Sequence, residues 1–210
     1  MTQLLRFRFR YSRKSILILL ILAVTILIIY SNAMVTKTID LGLYTTASLL
    51  TVYVPAIAIA HILHAPFSIL IRTFPIAPKL FVKSSFFYAV FLLSIVFIPL
   101  FIIISYQYFK GNITAFPLCY TLGIFAFTVI TTGGALKAHF KSPTSGNSFS
   151  GSDVFFYILF IFIAHILLCL GFSIIDLTYL GALITPIACY YFYYKQYKAS
   201  ITLYEQAEFL

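Results

Sequence analysis

Few residues of this 210-residue chain are of a type that could move protons or hold a metal: it has five carboxylates and four histidines. The carboxylates are Asp40, Asp153, Asp176, Glu205 and Glu208, all outside long apolar runs or at their edges. Ion-coupled pumps keep ionisable groups inside such runs as relays or binding sites. Only His165 stands near the centre of one, and a lone histidine there reads as a helix-packing hydrogen bonder. His61 and His64 could share a helix face, yet no adjacent carboxylate or cysteine completes a metal site. Cys119, Cys169 and Cys189 all lie in apolar runs and read as packed thiols rather than a disulfide framework. HExxH, GxSxG and GxxxxGK[ST] are absent. The chain is therefore expected to be no enzyme, to carry no cofactor and to bind no ATP through a P-loop of its own.

Basic and aromatic side chains hold what chemistry remains. In the arm 4–15, LLRFRFRYSRKS, Leu4, Phe7 and Tyr11 share one helical face and Arg6, Arg10 and Arg13 the opposite one, with Arg8 the exception. That pattern suits a helix lying in the headgroup region, aromatic side down and basic side toward anionic lipid. A second basic stretch, LIRTFPIAPKLFVKSS at 70–85, is broken by Pro75 and Pro78. Pro78 fits the first turn of a short helix, where its missing N–H costs nothing, and Leu80, Phe81 and Lys83 would ride on that helix. A plain connector could be far shorter, so the stretch is expected to dock on the bilayer surface or another protein.

The elements positioning these residues follow from composition. The chain is 62% apolar and 9% charged, with a mean hydropathy of +1.03, whereas soluble domains are nearer half apolar and a quarter charged. About 20 apolar residues cross the hydrocarbon core as a helix. The sequence is accordingly expected to fold as an all-α integral membrane protein with six spans, near 16–34, 41–63, 86–106, 116–136, 154–172 and 177–194. The arm 1–15 precedes a membrane domain at 16–210, and the 70–85 helix lies between spans two and three. Strands of a membrane barrel would alternate in polarity, and these runs do not. Twelve of the 14 Lys and Arg fall on one side of this layout, leaving Lys37 and Lys110 on the other. The positive-inside rule then places both termini in the cytoplasm. A net charge of +9 distributed in this way marks topology rather than nucleic-acid binding. The Ser- and Gly-rich stretch 141–153 reads as a cytoplasmic linker.

At this point the sequence resembles the permease subunits of ABC-2 type transporters, which have six spans and a basic, aromatic-rich arm. Between spans two and three they carry a pattern like LPISRKxxVxxKY, approximated here at 73–83 by TFPIAPKLFVK. The matching positions are Pro75, Ile76, Lys79, Val82 and, out of register, Lys83; Ala77-Pro78 replaces the usual Ser-Arg. The resemblance implies a coupling helix seated on an ATP-binding cassette subunit, with Phe81 as its apolar knob between Lys79 and Lys83. It implies ATP and Mg²⁺ in that partner, a second permease copy, and a plasma-membrane location. Hydrophobic or amphipathic cargo such as a peptide, lipid or antimicrobial compound would be exported. Two other readings stay open: a substrate-binding membrane component like those of energy-coupling-factor importers, and a non-transporting immunity or assembly protein.

Overall fold

The computed structural model describes residues 2–35, 77–112, 115–141, 163 and 178–208. Five helices make up these residues: α1 (Thr2–Tyr11), α2 (Arg13–Val35), α3 (Pro78–Phe109), α4 (Ala115–Lys141) and α5 (Thr178–Glu208).

Helix α3 is the centre of the assembly and touches all the others. Its buried positions include Phe81, Val82, Ser85, Ala89, Leu92, Val96, Leu100 and Ile104, recurring every three or four residues along one broad face. Pro78 sits at the start, after the N-cap Ala77, and Pro99 lies inside the helix without ending it. The far end closes with a Schellman turn. Gly111 N–H donates to Tyr108 O at 2.9 Å and Asn112 N–H to Gln107 O at 3.0 Å. Gly111 has φ +73°, left-handed backbone that glycine adopts without strain. The chain thereby reverses, and α4 returns antiparallel along α3, with Phe97 meeting Phe125 at one level and Phe81 meeting Phe140 at another.

Helix α5 also runs antiparallel to α3, since Phe86 contacts Tyr193 and Phe81 contacts Tyr204. Helices α4 and α5 are therefore parallel, and theirs is the most extensive pairing in the molecule. They approach closely at Gly133, where an added Cβ would lie 2.7 Å from Tyr193 Cδ2 and collide with the Gln196 amide. At Gly134 the nearest atom would be 3.4 Å away. Nearby, the Cys189 thiol donates to the Ala126 carbonyl. Hydroxyls within the helices return to their own backbone, as Thr132 does to Thr128 O at 2.8 Å and Ser94 to Val90 O at 2.8 Å. In an apolar setting this satisfies donors that water cannot reach.

Large apolar side chains remain exposed on the outer faces, among them Leu17, Ile21, Val24 and Ile28 of α2 and Phe87, Ile98 and Ile102 of α3. Two helical stretches, Pro78–Phe109 and Thr121–Phe140, are long and apolar enough to cross a membrane. At a rise of about 1.5 Å per residue α3 is roughly 48 Å long, more than the ~30 Å hydrocarbon core.

Two expectations are corrected here. Six spans are not shown: among the described residues only those two stretches qualify. The expected spans 41–63 and 154–172 lie outside the described residues apart from Ile163, as does the linker beyond Lys141. The expected sixth span, 177–194, belongs to a helix that runs on to Glu208 and is not among the stretches that qualify. Nor is there a separate short coupling helix among the described residues. Pro78 opens α3 itself, so Lys79 to Lys83 form the first turns of a 32-residue rod. The arm, expected as a helix that leads into the first span, is helical over Thr2–Tyr11. Ser12 N–H donates to Arg8 O and Ile16 N–H to Ser12 O, both at 2.9 Å. The i→i−4 ladder thus carries α1 into α2, and the pair packs along α3.

Candidate functional site at the basic end of the bundle

The helix directions bring α1, the start of α3 and the C-terminal parts of α4 and α5 to one end of the bundle. Arg6, Arg10, Arg13, Lys14, Lys79, Lys83, Lys137, Lys195 and Lys198 are all exposed there. Lys110, beyond the other end of α3, is exposed over the Tyr106 ring at 4.7 Å.

Arg8 is the one described arginine of the arm that turns inward. It is 2% exposed. Its Nη2 donates to Ser85 Oγ at 2.7 Å, and its guanidinium carbon lies 5.3 Å from the Phe81 ring centroid and 6.0 Å from that of Tyr88. The Tyr88 hydroxyl donates to Ser12 Oγ, which donates to Arg8 O at 2.5 Å. Phe9 closes one flank, edge-on to Tyr88 and Phe91 with centroids 5.5 and 4.8 Å away. Burial lowers the Arg8 pKa to about 10, against a smaller upward effect of Tyr88, so the group is cationic at neutral pH. A desolvated cation is held here by its hydrogen bond to Ser85 and by ring faces.

Beneath Arg8 lies an aromatic cluster joining three helices. Phe81, Phe140 and Tyr204 contact one another with centroids 5.3 to 5.9 Å apart. Phe86 stacks near Phe140 and meets Tyr193 and Tyr197. Tyr193 donates its hydroxyl to Phe86 O at 2.7 Å. On the outer side of α5 the rings of Tyr190 and Tyr194 stack, 6.2 Å apart and 7° from parallel, with Lys198 Nζ 4.9 Å from the Tyr194 centroid.

The residues expected to form a coupling surface separate into two groups. Lys79 and Lys83 are exposed, with Leu80 between them, whereas Phe81 and Val82 are buried in the core. Phe81 holds α3 to α4, α5 and Arg8 rather than offering a knob. Pro75 and Ile76 lie outside the described residues. In the arm, Arg6, Phe7, Arg10, Tyr11 and Arg13 are exposed and form no common centre. Ser12, Ser85, Tyr88 and the inward role of Arg8 were missed by sequence reasoning. Arg8's departure from the basic face of the arm was the signal available.

Further along, α3 and α4 enclose a half-open apolar cleft of about 180 Å³, lined by Phe97, Ile98, Phe101, Thr121, Leu122 and Phe125. Among the described residues no three His, Cys, Asp or Glu side chains come together as a metal site. His139 packs against Phe140; His61, His64 and His165 are outside the described residues. Compared with protein-family models, curated proteins and solved structures, the chain matches none.

Proposed function

We propose that this chain is the membrane-embedded permease subunit of an ABC-2 type exporter. A separate ATP-binding cassette chain would supply ATP and Mg²⁺, and a second permease copy would complete the pathway. The cargo would be hydrophobic or amphipathic. The basic end of the bundle then faces the cytoplasm at the plasma membrane, in keeping with the positive-inside rule.

One observation supports this reading most. The segment resembling the family's coupling region is the leading end of α3, continuous with the helix that is long enough to cross the membrane. A push on Lys79, Leu80 or Lys83 is carried down a single rod. Phe81 and Arg8 pass it sideways to α4, α5 and the arm, because packed side chains transmit displacement rather than absorb it. The surface offered to a partner is therefore Lys79, Leu80 and Lys83, with Phe81 and Val82 as its backing.

Purification of the tagged chain from its native membrane tests the proposal. A soluble ATP-hydrolysing chain is expected in stoichiometric amount. Its loss from the Lys79→Glu/Lys83→Glu variant, with membrane insertion unchanged, is the matching result. Recovery of the chain with no ATP-binding partner overturns the reading.

A further inference from the structure

The exposed side of α5 between Tyr190 and Lys198 has no role in the coupling surface, and its composition is unusual. Tyr190 is 75% exposed, Tyr191 60% and Tyr194 44%, and Lys195 and Lys198 are exposed beside them. A tyrosine presents a ring that favours an apolar medium and a hydroxyl that needs a partner. In hydrocarbon the hydroxyls would go unsatisfied, and in water the rings would stay hydrated. Only the boundary between the two serves both ends.

The register of α5 against α3 sets the ladder at such a boundary. Tyr193 and Tyr197, on the inner side of the same stretch, contact Phe86. Phe86 stands three residues after Lys83, where the run of α3 that lacks charge begins, and that run continues to Lys110. Tyr190 to Lys198 covers about 12 Å of helix, enough to cross the roughly 5–8 Å headgroup layer on one side of a bilayer. Lys198 seats its ammonium on Tyr194, itself stacked on Tyr190, so the charge is held at the surface. The nearest acidic residue further along α5 is Glu205, two turns outward.

We infer that this face of α5 binds anionic phospholipid headgroups at the cytoplasmic boundary. The lipid phosphate accepts hydrogen bonds from the Tyr191 and Tyr194 hydroxyls and lies against the Lys195 and Lys198 ammonium groups. The inference rests on the membrane placement proposed above and is independent of the transport reading.

The test uses the full chain in nanodiscs of phosphatidylcholine with about one third phosphatidylglycerol. Native mass spectrometry counts the lipids retained. Wild type is expected to enrich phosphatidylglycerol, and Lys195→Gln/Lys198→Gln to lose about five-fold of that enrichment per lysine. Lys195→Arg/Lys198→Arg should keep it, which shows that the loss is not misfolding. Equal enrichment in the Gln variant overturns the inference, as does a change in oligomeric state without a change in lipid, which would make this face a protein contact. A spin label on Tyr194→Cys in a background lacking the native cysteines separates the two premises. Water accessibility equal to that of a Glu205→Cys label overturns the membrane placement itself. A label at the boundary without lipid selectivity overturns only the headgroup site.

Discussion

Arg8 ties the N-terminal arm to α3 by a charge that has left water. Removing its side chain leaves Ser85 without a donor and a void beside Phe81. Arg8→Ala is therefore expected to cost about 2–4 kcal/mol, seen as a lower thermal unfolding midpoint in detergent. Tyr88→Phe deletes one buried hydroxyl bond and should cost about 1 kcal/mol. The pH dependence has a definite sign. Because burial holds the folded pKa of Arg8, about 10, below its ordinary value, the relative stabilisation present at higher pH is lost as pH falls through about 10. Below that the penalty for burying the cation is constant, so docking of the arm, followed by protease protection of its peptide bonds, should not vary between about pH 6 and 8. None of this was legible from the arm alone. Helical spacing separates Arg6, Arg10 and Arg13 from Phe7 and Tyr11 and leaves Arg8 as the exception. The partners that draw Arg8 inward come from a helix 77 positions away, and spacing within one segment carries no information about them.

Among the helices, the α4–α5 contact offers the sharpest contrast. Gly133→Ala sets a methyl group against Tyr193 and Gln196 and should destabilise by about 1–3 kcal/mol. Gly134→Ala meets only ordinary contact and gains helix propensity, so it should be neutral or stabilising by up to about 1 kcal/mol. Denaturation of the two variants side by side checks this. Gly111→Ala meets no neighbouring atom, yet it forces a left-handed residue at the Schellman turn and should cost about 1–2 kcal/mol. At this scale the sequence was partly readable. Pro78 was correctly placed at a first turn, but a proline that opens a short helix looks the same as one that opens a long helix. The absence of charge from Ser84 to Phe109 belongs to the same rod as Lys79 and Lys83, and only the backbone joins them. Phe81 read as a surface knob because its neighbours in sequence are lysines, whereas its neighbours in space are Phe140 and Tyr204.

For the whole molecule, the gathering of basic residues at one end was legible, because each lies next to an apolar run in sequence. The number of membrane-crossing helices was not, because apolar composition counts residues without showing where a helix begins and ends. A cysteine in place of Lys110 is expected to react with a membrane-impermeant maleimide added to intact cells, and one in place of Lys137 only after permeabilisation. The opposite pattern would invert the proposed orientation. The parallel pairing of α4 and α5 also has a consequence in time. Helices α3 and α4 are close in the chain and can pair as soon as both are made, whereas Ala126 and its partner Cys189 are 63 residues apart. At about 5–20 residues per second of synthesis, the notch at Gly133 stands open for roughly 3–12 s before α5 reaches it. Of the described helices α5 is made after its partners α3 and α4, and during that interval the open notch is exposed to the wrong neighbour.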